Sequence, residues 1–294
     1  MSQAFPNTRG PVCELDRLVR AVDEISSLPH VALRVMEVGN DPNSSAADLK
    51  QVTESDAALS ARVLRCVNSS AYATRVKITN LQQAIAYLGM KQVRNLAMTA
   101  SVSELFKEDQ AIGCYRRLAL WRHLVSVGVC SRLIAMRCGV GSFEDAFLAG
   151  LLHDVGIVLE DQYAHDSFCT VIESLDKGKT LAETERDCLG FDHTEFGEKV
   201  ARLWKFPEVI RAAICHHHGS VGYRGESIDV VRCVEIANLL CTLKGITSVG
   251  HPVLRVSKPA LMGLSLTKQD IQVLAEDLDE ELATNASLFQ MQMS

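Results

Sequence analysis

The sequence predicts an all-α protein, and both periodicity and composition support this class. Apolar residues recur at helical spacing, as in Val31, Val35 and Val38, and no stretch alternates apolar with polar residues long enough to indicate a sheet. Aromatic residues, which favour strands, make up only 5% of the chain, whereas aliphatic residues and alanine are plentiful. With 294 residues the chain is long enough for one or two domains.

Helix signals follow one another through the first third of the chain. A first helix is predicted over residues 14–26, and Pro29 suits the first turn of a second helix, which ends at the turn residues 39–42. Gly89 is expected to weaken or divide the last helix of this group. The remaining helices of the group are predicted over residues 46–54, 56–68 and 81–106.

A second group of helices follows the polar stretch 107–110, which we take as the domain boundary. Asp192 with Glu195, and Thr267 with Asp270, have the spacing of capping boxes at helix starts. The helices predicted for this group are 115–138, 143–154, 167–176, 181–189, 193–204, 207–217 and 228–244.

The predicted organisation has three parts. Residues 1–13 are expected to form a flexible N-terminus, residues 14–108 an N-terminal helical subdomain, and residues 114–290 a second helical domain. No internal repeat, low-complexity tract or long linker interrupts the chain, so turn signals alone define these boundaries.

Cysteine usage and charge indicate the compartment and the class of partner. The ten cysteines are scattered through apolar segments without a CxxC spacing, as expected for reduced thiols in the cytoplasm. The first residues lack the basic start and apolar core of a signal peptide, and the longest apolar run is interrupted by His153 and Asp154, so we expect neither a signal peptide nor a membrane span. A net charge of -6 gives no general attraction to nucleic acid. A local excess of basic residues, seven against three acidic ones over residues 48–100, is interpreted as a solvated helix face.

The N-terminal half contains several motifs that resemble the HDOD domain family. They are the Leu28-Pro29 opening, a helix start centred on Asp56, the run 64–72 (LRCVNSSAY) and the run 84–89 (AIAYLG). One departure is Ala57, where the family usually has proline. The resemblance implies a helical platform that displays a surface and performs no chemistry.

The residues of the run 64–72 also have a structural interpretation. Asn68 and Ser69 follow an apolar helix and can bond the free backbone groups at its end, while Tyr72 offers a large apolar ring with one polar tip. We therefore expect a helix end tied to a packed core, with direct ligand contact as the alternative.

The C-terminal half contains a histidine pattern that is similar to that of HD-type metal-dependent phosphohydrolases. His153 and Asp154 lie in the motif LLHDVG, where an apolar helix ends before a glycine. The resemblance implies that Asp154 reaches one metal ion or bridges two, and that the ligand set is His123, His153, Asp154, His193, His216 and His217. The implied cofactor is Fe, Mn or Zn in a mononuclear or dinuclear site.

The alternative for each of these histidines is a plain structural role, since a single histidine on a helix face is more often a bonded core residue than a ligand. His217 continues the apolar stripe of Ile210, Ala213 and Ile214 and is therefore expected to be buried. A buried neutral imidazole needs a partner on each ring nitrogen, which a metal or a carboxylate would supply. Four histidines outside the pattern are expected to be surface or structural residues: His30, His165, His218 and His251.

Two positions depart from the catalytic pattern of the HD superfamily. Asn238 stands where the late aspartate ligand is expected, so it would be at most a weak ligand, and Ile157 stands where the related HD-GYP phosphodiesterases have a lysine. An amide lowers the negative charge that holds a dication, and isoleucine cannot bind phosphate. The tripeptide Gly222-Tyr223-Arg224 matches the GYP motif only weakly, because arginine replaces proline. We assign no catalytic residue.

These features favour a non-catalytic regulatory protein in signal transduction. The expected architecture is an N-terminal helical subdomain packed on a C-terminal HD-type helical domain, and the expected partner is a signalling protein. Binding of a small phosphorylated ligand is a further possibility that the sequence leaves open. The alternative function is a metal-dependent phosphohydrolase or cyclic-dinucleotide phosphodiesterase of the HD superfamily.

Overall fold

The computed structural model describes residues 11–25, 28–72, 74, 76–176, 178–253 and 258–293. Its α-helices in the first half are α1 Pro11–Ile25, α2 His30–Asn40, α3 Ala46–Glu54, α4 Ala57–Val67, α5 Leu81–Leu88 and α6 Met90–Val102. In the second half they are α7 Arg117–Arg137, α8 Phe143–Leu152, α9 Val155–Tyr163, α10 His165–Glu173, α11 Leu181–Leu189, α12 His193–Leu203, α13 Glu208–His216, α14 Ile228–Leu243, α15 Lys258–Gly263, α16 Lys268–Thr284 and α17 Ala286–Phe289.

The prediction of an all-α fold is confirmed, because the strands in the described residues are two short segments of two residues each, β1 Ala111–Ile112 and β2 Tyr115–Arg116. They pair antiparallel across a turn at Gly113, whose φ is +52°. The predicted helix start at residue 115 is therefore wrong. Tertiary contact explains the difference, since the buried Tyr115 donates a hydrogen bond of 3.0 Å to the carboxylate of Asp161.

The sequence predicts a flexible segment over residues 1–13. Residues 1–10 of this segment lie outside the described residues, and residues 11–13 form the start of α1.

Helix α6 is the centre of the N-terminal half, because α2 and α4 pack on it and residues 93–102 are all buried. Gly89, with φ +86°, separates α5 from α6, as the sequence analysis anticipated. Asn68 ties the end of α4 to the chain that follows. Its amide donates to Leu64 O at 2.7 Å and to Ile78 O at 2.8 Å, and its carbonyl accepts from the Ile78 N–H at 2.8 Å.

A buried polar network connects the two halves. Arg94 on α6 is fully buried and donates to Asn40 Oδ1 at 2.7 Å and to Asp145 Oδ1 at 2.9 Å. Its neighbour Asn95 donates to Glu144 Oε2 at 2.7 Å. Because Glu144 and Asp145 lie in the first turn of α8, this network, which we call the joint, connects α2 and α6 to a helix of the C-terminal half.

The ends of the chain also cross between the halves. Helix α1 packs on α9 and α12, and the short 3-10 helix Met291–Met293 at the other end packs on α6. The hydrophobic core runs through both halves as one cluster. The division into subdomains 14–108 and 114–290 therefore stays a prediction.

Helices α7, α8 and α14 pack together as the core of the C-terminal half. Helix α7 is long and apolar enough to cross a membrane by length and composition, but 72% of its most apolar window is buried inside the fold. Thr267 and Asp270 form the predicted capping box of α16, and Asp192 caps α12 by accepting from Thr194 N and Glu195 N. This cap fixes the start of α12, where His193 lies.

Candidate metal centre

Five helices deliver side chains to one buried cluster in the C-terminal half. His123 comes from α7, His153 follows the last residue of α8, and Asp154 immediately precedes α9. His193 opens α12 and His217 follows α13. All five side chains are at most 2% exposed.

Gly156 allows α9 to lie against the start of α12. A Cβ at this position would fall 2.0 Å from the carbonyl oxygen of His193, so any other residue would force the two helices apart. The glycine of the motif LLHDVG therefore lies inside α9 and brings Asp154 close to His193.

The carboxylate of Asp154 is at the centre of the cluster. On one side its Oδ2 lies 3.1 Å from His153 Nε2 and 3.5 Å from His123 Nε2. On the other side its Oδ1 lies 3.0 Å from His217 Nε2 and 3.5 Å from His193 Nε2. The four imidazoles thus present the same ring nitrogen to the two oxygens of one carboxylate.

Backbone carbonyl groups fix the orientation of three of these rings. His123 Nδ1 donates to Ile246 O at 2.8 Å, His153 Nδ1 to Gly150 O at 2.7 Å, and His217 Nδ1 to Ile214 O at 2.9 Å. A carbonyl oxygen only accepts, so Nδ1 carries the proton and a neutral ring has a lone pair on Nε2. All three lone pairs therefore face Asp154.

The facing atoms have no hydrogen-bond partner. The Nε2 atoms of His123, His153 and His217 and the Oδ1 atom of Asp154 are buried and unpartnered. A buried polar atom without a partner raises the free energy of the folded state. Several such atoms that converge on one point indicate a binding site for a ligand that would satisfy them. Imidazole nitrogens and carboxylate oxygens are the ligands that Zn, Fe and Mn prefer, so this donor set fits a divalent transition metal.

His193 differs from the other three because a carboxylate supports it. Glu185 Oε2 accepts from His193 Nδ1 at 2.6 Å and from the His193 backbone N–H at 3.0 Å. Burial lowers the pKa of His193, but the charge and hydrogen bond of Glu185 outweigh burial and raise the pKa to about 9. A carboxylate behind a histidine is the usual second partner of a metal ligand, which it orients and makes more basic.

Burial and neighbouring charge set the other pKa values of the cluster. Burial, followed by the charge of His153, lowers the pKa of His123 to about 4, so this imidazole is neutral and able to act as a ligand. Burial raises the pKa of Asp154, but His153 and His217 offset it and hold the pKa well below its usual value. Glu160, which lies against Glu185, has a strongly raised pKa because of burial and the charge of Glu185.

The structure does not bring His216 to the cluster. This side chain is half-buried, and its ring lies 5.5 Å from the ring of Tyr223. His218, expected to be a surface or structural residue, is exposed, and it also contacts the cluster, because its Nε2 lies 2.9 Å from His193 Nε2. Helix α13 ends at His216, so the helical spacing that selected His217 no longer applies one residue later, and the turn places the exposed His218 beside His193. The two adjacent histidines near Asp154 are therefore His217 and His218, whereas the sequence predicted His216 and His217.

An open cavity of about 210 Å³ adjoins the cluster. Asn238 lines it from α14 together with Glu235, a carboxylate that the sequence analysis missed because it lies one helical turn before the expected position. Arg186 on α11 also lines the cavity and pairs with Asp192 at 2.5 Å. Ile157 is fully buried in the core.

Comparisons with known proteins agree with this architecture. The HDOD domain profile matches residues 25–220, which is most of the chain. The chain belongs to the HDOD family. The match includes both the run 64–72 and the histidine cluster, whereas Asn238 lies beyond it.

Solved structures with the same fold cover nearly the whole chain. An HDOD domain protein of unknown function from Geobacter sulfurreducens is 26% identical, with a TM-score of 0.75 over 95% of this chain and 99% of its own. A protein from Marinobacter aquaeolei, provisionally named a signal transduction protein, is 22% identical, with a TM-score of 0.78 over 99% of this chain and 68% of its own. A protein from Shewanella amazonensis, provisionally named a phosphohydrolase, is 22% identical, with a TM-score of 0.70 over 94% of this chain and 98% of its own. No functionally curated protein matches the sequence at a significant level.

Proposed function

We propose that this HDOD protein is a cytoplasmic regulatory module of signal transduction that binds a divalent transition metal and a protein partner and does not hydrolyse phosphoesters. One observation carries the proposal: four histidines converge on Asp154 in one buried cluster, while the two positions expected to drive hydrolysis hold Asn238 and Ile157. The names of the similar structures support a role in signalling, and the nine described cysteines, all free thiols, support a reducing compartment.

Two ligand groups share Asp154. One consists of His123, His153 and Asp154, and the other consists of Asp154, His193, His217 and His218. The first group offers three donors and the second offers four, so we propose that the second group holds the metal more tightly. A bound divalent ion would satisfy the unpartnered nitrogens and lower the pKa of any water it coordinates.

The same two residues argue against turnover. Asn238 removes one negative charge from the ligand set, and the fully buried Ile157 offers neither a cation nor access to the cavity. Losing one electrostatic stabiliser of a transition state costs about 10² to 10³ in rate. Two independent losses would leave only marginal hydrolysis.

The alternative is a working phosphohydrolase, and one observation favours it. The cavity of about 210 Å³ adjoins the cluster and includes Arg186, a cation able to pair with a phosphate, and the carboxylate of Glu235.

A hydrolysis screen separates the two functions. The full chain, loaded in turn with Fe, Mn and Zn, is assayed with nucleotides and cyclic dinucleotides beside the variants Asn238→Asp and Asp154→Ala. We expect no turnover above the Asp154→Ala background in the wild type. A metal-dependent wild-type rate on the order of 1 per second would make the protein an enzyme and overturn the proposal.

A further inference from the structure

A second cavity, of about 580 Å³, lies where the end of α4 meets the C-terminal segment. It is separate from the metal centre and shares no lining residue with the cavity there. Side chains that can donate hydrogen bonds dominate its lining, which includes Arg62, Arg65, Cys66, Ser69, Ser287 and Met291.

Two serine hydroxyl groups come together in this cavity from distant parts of the chain. Ser69 Oγ lies 3.0 Å from Ser287 Oγ, and the Cys66 thiol lies 3.6 Å from the same Ser287 oxygen. These three groups carry three hydrogens, and their two contacts use at most two of them. At least one O–H or S–H therefore stays free for an acceptor in the cavity.

The arginines of the cavity also have donors to spare. Arg62 is 9% exposed, and although its Nη1 pairs with Glu104 Oε1 at 2.6 Å, its Nε is buried without a partner. Arg65 is exposed in the last turn of α4 and makes no ion pair with the described acidic residues. A buried guanidinium N–H without an acceptor is costly, which indicates a missing acceptor near Arg62.

The local charge is positive. Glu104 is the acidic partner of Arg62 and also pairs with Lys107 at 2.6 Å, so one carboxylate is shared by two cations while Arg65 adds a third. No acidic side chain among the described residues lines the cavity. The C-terminal end of α4 carries a partial negative charge, about half an elementary charge, which disfavours a bound anion. The positive charge of Arg65, in the last turn of the same helix, offsets it.

We propose that this cavity binds the phosphate monoester group of a small phosphorylated molecule. A phosphate dianion offers three terminal oxygens, which suit the planar donors of an arginine together with a hydroxyl. The volume exceeds that of a phosphate group and lies within the range of small-molecule sites, so the organic part of the ligand lies against Met291 and Cys66. Arg65, Cys66 and Ser69 belong to the run 64–72, and no residue of this run contributes to the metal centre.

Calorimetric titration of the full chain tests the proposal. The probes are inorganic phosphate, AMP and glucose 6-phosphate, with adenosine and glucose as their uncharged counterparts. The variants are Arg65→Gln, which removes an exposed charge and no described contact, and Ser69→Ala, which removes one hydroxyl. Arg20→Gln is the control, because Arg20 is an exposed helical arginine on α1. Asp154→Ala removes the metal centre as an alternative site.

We expect saturable binding of at least one phosphorylated probe, no binding of its uncharged counterpart, and a Kd about tenfold higher in Arg65→Gln, which corresponds to about 1.4 kcal/mol. Ser69→Ala weakens binding as well, whereas Arg20→Gln and Asp154→Ala retain the wild-type Kd. The proposal is overturned if no phosphorylated probe binds at millimolar concentration. It is equally overturned if Arg65→Gln binds like the wild type, or if Asp154→Ala abolishes binding, which would assign the anion to the metal centre.

Discussion

The joint and the metal centre are both buried polar clusters, but they differ in how their polar atoms are satisfied. In the joint, Arg94, Asn95 and Asp145 have partners at 2.7 to 3.1 Å and no unpartnered buried atom. In the metal centre, three imidazole nitrogens and one carboxylate oxygen are buried without partners. The two clusters are therefore alike in burial and differ in hydrogen-bond satisfaction, which is the property that makes the second a candidate metal site.

The largest expected effect is the loss of metal from Asp154→Ala, because this carboxylate belongs to both ligand groups. Metal content of the purified variant, measured by mass spectrometry, is expected to fall to background. His216→Ala is the matched control, since His216 lies outside the cluster beside Tyr223 and its loss leaves the content unchanged. Equal metal content in the two variants would contradict the assignment.

In the joint, the expected effect is on stability. Arg94→Met removes the cation that links Asn40 to Asp145 and leaves their oxygens without their buried donor. We expect the free energy of unfolding, measured by urea denaturation, to fall by about 3 kcal/mol. The effect is the same in metal-free and metal-loaded protein if the joint is purely structural. A loss below about 0.5 kcal/mol, the range of ordinary surface substitutions, would show that the network contributes little.

Glu185→Gln tests the support of His193. The amide keeps the size of the side chain but loses the charge that raises the pKa of His193. We expect metal affinity to fall about 10- to 100-fold, measured by competition with a chelator. Asp187→Asn on the same helix is the control, because Asp187 is exposed and pairs with Lys179. Identical affinities in the two variants would remove Glu185 from the site.

The smallest expected effect is the acid sensitivity of the joint. Burial raises the pKa of Asp145, but hydrogen bonds and charges from Lys91 and Arg94 lower it below its ordinary value of 3.8. A depressed folded-state pKa contributes stability that is present above pH 3.8 and is lost as the pH falls through the folded value. Asp145→Asn is therefore expected to show a flatter decline of stability below pH 3.8 than the wild type. Parallel declines would contradict the shift.

Local patterns were sufficient to predict the helical class, the family and the HD dyad. The membership in the HDOD family is confirmed by the profile match over residues 25–220. The apolar helix end before His153 and the stripe leading to His217 are local features of the sequence, and both residues are buried in the structure. The role of these residues as metal ligands stays a prediction.

Contacts between distant residues explain what the sequence could not reveal. Glu185 reaches His193 across a helix connection, and the exposed His218 contacts His193 only because α13 ends two residues earlier. The hairpin at residues 111–116 depends on Tyr115 reaching Asp161, 46 residues away. Such contacts leave no periodic signal in the chain.

The most direct test of the account is X-ray absorption spectroscopy at the metal edge of the purified full chain. The account predicts a bound Fe, Mn or Zn ion whose nearest neighbours are nitrogen and oxygen at about 2.0 to 2.2 Å, with the outer scattering of imidazole rings. This signal is lost in Asp154→Ala. A spectrum dominated by sulfur at about 2.3 Å would assign the metal to the cysteines, and would contradict the claim that the unpartnered nitrogens around Asp154 form a metal site.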